Sequence, residues 1–222
     1  MLGEKSAVAA GSVHADALDQ VERRVKRLCQ RFAANLPFHG WHHVHFVRTK
    51  AGAFARANGS DALVVETAAL VHDLNYIVKR NSDAEEGHDI RMRILAAAGV
   101  GEPVAVWIDE IVVEAEIRTR HRDISKEAQA LSDADTLFKA LPVTPVMLAH
   151  RYLDENGITL SQLAHKIVGE QRDKHDEGFY FYSDEAKAMY SHWATANLEL
   201  WQCVVEALED PSVGELLDAV NA

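Results

Sequence analysis

The sequence is poor in the features that mark secreted, membrane and nucleic-acid-binding proteins. Its 222 residues include two cysteines and five prolines, and the net charge is −11. Cys29 and Cys203 lie far apart without a CxxC partner, which favours reduced thiols and a cytoplasmic location. The acidic balance argues against long nucleic acids as partners. No apolar run approaches the roughly 18 residues of a membrane span. The first residues lack the pattern of a signal peptide, and we expect them to form a loose N-terminus.

Apolar residues recur at helical spacing along most of the chain. Leu18, Val21, Val25, Leu28 and Phe32 step by three and four, which is the stripe of a first amphipathic helix. Similar stripes between capping and stop signals predict helices at about 41–58, 62–73, 82–99, 103–116, 125–141 and 144–156, and a long helix after Ser183. Strand-like alternation is limited to the short stretch GFYFYS at 178–183. The sequence therefore predicts an all-α fold.

Three segments place metal-binding residue types next to buried stripes. The apolar run AALV ends in His72 and Asp73, and an unpaired buried carboxylate is costly and seeks a cation. HGWHHVHFV (39–47) holds four histidines on two different helix faces, so two of them are expected to be exposed. In LSDADTLFKAL (131–141), Asp135 adjoins the apolar stripe, and Asp133 lies farther from its centre. Each residue can also be an ordinary surface side chain, and position must decide.

Taken in order, HGWHHV, AALVHDL and DADTL resemble the HD-domain superfamily of metal-dependent phosphohydrolases. The resemblance covers about residues 36–142. It implies that a divalent ion (Mn, Fe, Mg, Zn or Co) is held by His43, His72, Asp73 and Asp135, with Asp133 as the alternative to Asp135. It also implies that metal-activated water cleaves a small phosphate ester or nucleotide.

The same resemblance suggests the organisation of the chain and further site residues. We expect one HD-type domain, with an N-terminal helix at 1–35, a metal-binding core at 36–142 and a helical C-terminal extension at 143–222. His88 and His121 fall where some members of the superfamily hold a second ion.

Asn75 and Tyr76 stand where several nucleotide-hydrolysing members have an acidic residue. The water base is therefore expected to be Glu85, Glu86 or Asp73 itself. The residues expected to bind a phosphorylated substrate are Lys79, Arg118, Arg120, Arg122 and Lys139.

Two other functions stay open at this point. One is an HD-like di-iron oxygenase, which needs His88 and His121 at the metal centre. The other is a helical module with a non-catalytic metal site. The aromatic stretch at 178–183 is interpreted as packing over the core, with a lid or a homodimer contact as alternatives.

Overall fold

The all-α prediction is confirmed by the computed structural model, which describes residues 12–221. Within that range the chain forms twelve α-helices and no β-strand. None of these helices is long and apolar enough to cross a bilayer. Residues 1–11 of the predicted N-terminal segment lie outside the described range. The helices are α1 (Ala15–Arg31), α2 (Trp41–Asn58), α3 (Ala62–Val71), α4 (Asn75–Val78), α5 (His88–Ala97), α6 (Glu102–Glu114), α7 (Lys126–Ala140), α8 (Val143–Met147), α9 (Ala149–Asn156), α10 (Leu160–Asp176), α11 (Asp184–Leu208) and α12 (Pro211–Asn221).

Helix α3 lies at the centre of the fold, as its apolar sequence predicts. Asp61 caps it by accepting hydrogen bonds from the amides of Leu63 (2.9 Å) and Val64 (3.3 Å). Seven of its residues from Val64 onward are buried, and it packs against α1, α2, α6 and α7. A helix surrounded in this way holds its C-terminal end, where His72 and Asp73 follow, in a fixed position.

Helix α2 approaches α3 closely at Gly52. A Cβ atom at this position would lie 2.3 Å from Oε1 of Glu66, so a larger residue would displace the Glu66 side chain from its present position. Glu66 then accepts hydrogen bonds from Arg48 (3.1 Å) and Arg56 (3.0 Å) on α2. The absence of a side chain at Gly52 thus allows Glu66 on α3 to form hydrogen bonds with two arginines on α2, and these two helices meet at the candidate site.

The stretch 178–183 forms no strand and is held against α7 by two buried side chains. Asp133 accepts hydrogen bonds from the amides of Tyr182 (2.7 Å) and Ser183 (2.9 Å) and from the Ser183 hydroxyl (2.6 Å). Arg120 donates to the carbonyl of Tyr180 (2.8 Å) and to Thr136 Oγ1 (2.9 Å). Both groups are occupied in fastening this stretch. Asp133 is therefore not the alternative metal ligand, and Arg120 is not a free phosphate-binding residue.

The helix predicted at 82–99 begins later than its sequence suggests. Ser82 does not form the expected capping box; its Oγ and carbonyl oxygen accept hydrogen bonds from Asn75 (3.2 and 3.0 Å). A 3-10 turn at Ala84–Gly87 precedes α5. The predicted 144–156 helix is divided into α8 and α9, and α10 and α12 were not predicted.

One buried cluster joins residues from all three predicted regions, from Val13 on the N-terminal side to Ala194 on α11. A smaller cluster of Leu163, Ala164 and Trp201 lies between α10 and α11. The C-terminal helices therefore add a second, smaller packing centre beside the main core.

We expect Asp133→Asn to lower the free energy of unfolding by about 2–3 kcal/mol, because an amide nitrogen cannot replace a carboxylate oxygen as an acceptor for buried donors. Urea denaturation followed by circular dichroism measures this effect. The exposed Asp123 provides the matched control, since Asp123→Asn should change stability by less than about 0.5 kcal/mol. Equal midpoints for the two variants would contradict the anchoring role.

Candidate metal centre

Four nitrogen and oxygen ligands converge where α2, the end of α3 and α7 meet. His43, His72 and Asp135 offer ligand atoms that all lie within 4.8 Å of one another. Asp73 Oδ2 lies 2.8 Å from His43 Nε2 and 3.1 Å from His72 Nε2. These residues come from three segments of the sequence, and the packing of the helices brings them together.

The spacing of these atoms fits a single small cation. The two imidazole Nε2 atoms are 3.1 Å apart, and Asp135 Oδ1 is 3.4 Å from His43 Nε2 and 4.0 Å from His72 Nε2. Ligands held about 2.1 Å from an ion at tetrahedral or octahedral angles are roughly 3.0–3.4 Å from one another. Asp73 Oδ2 is buried and, despite its short contacts with both imidazoles, makes no hydrogen bond of good geometry to any described residue. The donor set therefore fits a divalent metal ion.

Neighbouring groups orient two of the four ligands. His72 Nδ1 lies 2.8 Å from the carbonyl oxygen of Ala69. A proton on Nδ1 makes this hydrogen bond and leaves the Nε2 lone pair facing the cluster. Lys139 donates to Asp135 Oδ2 at 2.6 Å, which leaves Oδ1 directed at the histidines. Both contacts prepare the side chains for metal binding.

The charges within the cluster influence one another strongly. Burial disfavours the charged form of His72, but the carboxylates of Asp73 and Asp135 outweigh it and raise its pKa to about 9. For His43, burial dominates and lowers the pKa. Burial also opposes ionisation of Asp73, yet the two histidines hold the pKa of its carboxyl well below the usual range. The site thus favours anionic carboxylates beside a positive charge, which is either a proton or a cation.

The cluster lies beside a cavity that adjoins a larger cleft. The cavity has an empty volume of about 450 Å³ and includes His72, Asp73 and Asp135 in its wall. The cleft, of about 700 Å³, extends toward α10 and α11. Four residues line both spaces: His39, Tyr76, Glu116 and Lys139. The cleft therefore lies next to three of the four residues of the cluster, whereas His43 is buried behind them.

His39 lies between the candidate metal-binding residues and the C-terminal helices. Of the four histidines in HGWHHVHFV, His39 and His43 are buried and His42 and His45 are exposed. The His39 ring stacks on Tyr76 with 3.7 Å between centroids, and its Nδ1 pairs with the buried Glu155. The amides of Phe38 (2.7 Å) and His39 (3.1 Å) also donate to Glu155. Burial opposes ionisation of Glu155, but these hydrogen bonds lower its pKa.

The two further histidines are not brought into the cluster. His88 lies 2.8 Å from Asp109, which also binds the buried Arg91, and its side chain is 53% exposed. His121 is exposed, and its backbone carbonyl accepts a hydrogen bond from Tyr182. The expectation that they complete a second metal site is corrected accordingly.

Of the three acidic residues expected as water bases, Asp73 lines the cavity and the other two lie outside it. Glu85 and Glu86 are exposed, and Glu86 pairs with Lys79 at 3.4 Å. Their positions follow from the 3-10 turn, which directs both side chains to solvent. Glu116 is the acidic residue beyond the ligand set that lines both the cavity and the cleft. Sequence reasoning missed it because it follows α6 without a motif.

The basic residues expected to bind substrate divide into two groups. Arg118 and Lys139 line the cleft. Lys79 is 66% exposed, and Arg122 is 62% exposed and donates to the backbone carbonyl of Glu177. The last two, like Arg120, are thus removed from the expected substrate-binding set. Lys166 on α10 lines the cleft and was not predicted.

The comparisons with known proteins show the fold and leave the chemistry open. No family model matches the chain. Over 109 residues the chain is 32% identical to the uncharacterized protein YpgQ of Bacillus subtilis, a match covering 45% of this chain and half of the relative. A Lactobacillus plantarum crystal structure superposes with a TM-score of 0.67 at 20% identity, covering 90% of this chain and all of that one. The YpgQ crystal structure gives a TM-score of 0.55 at 20% identity, covering 87% and 96% of the two chains.

We expect the metal-free protein to lose stability as the pH rises from about 6.5 to about 9. The pKa of His72 is raised from 6.5 in the unfolded reference to about 9 in the fold. The stabilisation is therefore complete below pH 6.5 and is lost above 9, an effect on the order of 3 kcal/mol. The opposite shift of His43 acts below pH 6.5 and leaves this window unaffected.

Urea unfolding in the presence of a chelator at several pH values measures this loss, and His72→Asn should flatten the profile across the window. A wild-type profile that stays level from pH 6.5 to 9 would contradict the charge assignment.

Proposed function

We propose that this chain is a metal-dependent phosphohydrolase of the HD superfamily, acting on a small phosphate ester or nucleotide. The observation that supports it best is the meeting of His43, His72, Asp73 and Asp135, in which each carboxylate has an oxygen 2.8–4.0 Å from the two imidazole Nε2 atoms. Two imidazoles and two carboxylates suit Mn, Fe, Zn, Co or Mg better than a soft metal. We propose a single ion, since His88 and His121 lie elsewhere.

The bound ion would supply an activated water, by lowering its pKa toward about 7, and would offset charge on a phosphoryl group. The chain's own residues hold this arrangement in place. Lys139 donates a hydrogen bond to Oδ2 of Asp135. Burial alone would lower the pKa of Lys139, but the charge of Asp135 outweighs burial and leaves the pKa raised. Its ammonium group therefore stays charged beside the position that a phosphoryl oxygen would take.

The charge of the cleft supports an anionic substrate. The whole chain has a net charge of −11, yet Arg118, Lys139 and Lys166 all line this one space. Arg118 and Lys166 pair with Glu116 and Glu170 of the same wall, and Lys139 pairs with Asp135. Three cationic side chains gathered beside the candidate metal site are suited to binding phosphate oxygens.

We propose Glu116 as the group that accepts the proton of the attacking water. It lines the cavity together with Asp73 and Asp135 and is 21% exposed. Arg118 lies 3.6 Å from its carboxylate, and a carboxylate within reach of the water can accept its proton. Glu85 and Glu86 are less suited, because they face solvent.

The positions of the remaining histidines favour hydrolysis over oxygenation. A di-iron oxygenase on this scaffold needs further ligands for a second ion, and His88 instead pairs with Asp109. A non-catalytic metal module would be expected to lose one or more ligands, but all four are present and close together. The hydrolase remains the proposal that uses every observed feature of the site.

The expectations on partners and location continue as proposals. A small phosphorylated substrate follows from the cleft, and the acidic surface argues against long nucleic acids. Cys29 and Cys203 are both free thiols, which supports a reducing, cytoplasmic location. No membrane association is proposed, and a homodimer stays a prediction.

His72→Ala should remove the bound metal and lower phosphoester turnover by at least about a hundredfold. Without the ion, the water is not activated and the charge on the phosphoryl group is not offset. Elemental analysis of the purified protein and a screen of phosphate esters and nucleotides with Mn, Mg, Co and Fe measure both effects. His45→Ala is the matched control, since His45 is exposed on the same helix as His43. Unchanged turnover in His72→Ala would refute the metal-dependent mechanism. Two irons per chain without hydrolysis would favour the oxygenase.

Glu116→Gln should lower kcat by about 10²–10⁴-fold while metal content stays normal, because the amide cannot accept the proton. Steady-state kinetics on the best substrate of the screen tests this. Glu110→Gln, exposed on α6, is the control and should retain full turnover. A large loss in Glu86→Gln combined with normal kinetics in Glu116→Gln would reassign the base.

A further inference from the structure

The cleft beyond the metal cluster is larger than a phosphoryl group requires. It shares His39, Tyr76, Glu116 and Lys139 with the metal cavity and extends from there to α10 and α11. Ligand sites are typically concave spaces lined by apolar and aromatic side chains with a few polar groups. The organic part of a phosphorylated substrate therefore has a defined space beside the reacting group.

The walls of this space are suited to a planar group. Aromatic side chains from four segments line it: Phe38, Tyr76, Tyr152 and Trp201. Leu163 and Ile167 of α10 add an aliphatic surface. Aromatic and aliphatic walls favour flat, apolar rings through area burial and offset stacking. A short alkyl phosphate would leave most of this surface uncovered.

One polar side chain in the wall lacks a partner. Gln171 on α10 lines the cleft and is 3% exposed. Its Oε1 atom is buried and accepts no hydrogen bond from any residue in the part of the chain that the structure describes. Leaving a buried amide oxygen unpaired costs about 1–3 kcal/mol. The fold therefore keeps an acceptor at this position at the expense of stability.

Two other polar side chains of α10 and α11 in this wall are already paired. Asn197 donates to the carbonyl of Lys139 at 3.1 Å and accepts from Trp201 Nε1 at 3.2 Å. Lys166 forms an ion pair with Glu170 at 2.9 Å. Among the residues that line the cleft, Gln171 is the one with a buried side-chain acceptor that lacks a partner within the described part of the chain.

We propose that Gln171 determines substrate specificity. Its Oε1 accepts a hydrogen bond from an N–H or O–H donor on a planar organic group that the phosphorylated substrate places in the cleft. The proposal rests on the proposed function for the phosphoryl end of the substrate, and the recognition of the planar end is a separate contact. A site built to pair with a donor discriminates strongly against an analogue that lacks it, because a buried acceptor then stays unpaired.

The test uses pairs of probes that differ by one donor. The arylphosphonates 4′-aminobiphenyl-4-yl and 4′-methylbiphenyl-4-yl have nearly the same shape, and neither can be hydrolysed; 4-aminophenyl and 4-methylphenyl phosphonates are shorter versions. Calorimetric titration of the metal-loaded protein should give at least about tenfold tighter binding of the amino member of one pair. In Gln171→Leu this ratio should fall to near one.

Thermal unfolding distinguishes a binding role of Gln171 from a structural one, because loss of a structural residue would lower the melting temperature. Gln171→Leu removes an unpaired buried acceptor and keeps a side chain of similar size, so its melting temperature should equal or exceed that of the wild type. Its metal content should be unchanged. Gln202→Leu on α11, a residue outside the cleft lining, is the matched control and should retain the wild-type binding ratio.

The outcomes separate this proposal from the proposed reaction. Equal binding of both members of each pair, failure of all four probes to bind, or a lower melting temperature in Gln171→Leu would overturn the role of Gln171. If the wild-type protein still hydrolyses phosphate esters when one of these results is found, the proposed phosphohydrolase activity stays supported. A Gln171-dependent preference for the amino probes without hydrolysis of any ester would support the recognition site and refute the phosphohydrolase.

Discussion

The structure depends on the balance of charge among one buried and three partly buried side chains. Asp73 and Asp135 each place an oxygen 2.8–4.0 Å from the Nε2 atoms of His43 and His72, where the cost of burying an uncompensated charge is high. Without a cation, the cluster compensates by holding a proton, which is why the pKa of His72 is raised to about 9. A divalent ion would replace that proton. If an ion binds here, the same electrostatic demand would link the stability of the fold to its binding.

Helix α7 shows how one helix separates a structural role from a functional one. Asp133 and Asp135 differ by two positions, so their side chains point about 200° apart. Asp135 faces the histidines, whereas Asp133 fastens the stretch that begins α11. Ser132 and Thr136, beside them, receive the buried guanidinium of Arg120. The helix therefore holds the C-terminal segment in place and also positions Asp135 at the candidate site. A shift of the C-terminal segment would disturb the position of Asp135.

Local signals in the sequence predicted most of the helices and three of the segments that form the site. The bounds of α2 follow from its pattern and from the stop at Asn58-Gly59, and the apolar run before His72 identified the central helix. Local signals failed where a distant partner decides. Ser82 has the right spacing for a capping box, but Asn75 and Arg118 bind its backbone carbonyl. Conversely, Thr159 and Gln162 form a capping box at the start of α10, a signal that was present in the sequence and overlooked.

The cleft was the part least accessible to prediction, because its residues are related only through tertiary packing. Glu155 binds the amide of Phe38 across 117 positions, and this contact brings α9 beside the start of α2. The basic stretch RTRHR was the most conspicuous candidate for phosphate binding. Of its arginines, Arg120 is used to anchor backbone carbonyls, Arg122 lies at the surface, and Arg118 lines the cleft. A cluster of basic residues in the sequence is thus a weaker guide to phosphate binding than the position of each side chain in the fold. Lys139 and Lys166 are isolated in sequence, yet both line the cleft beside Arg118.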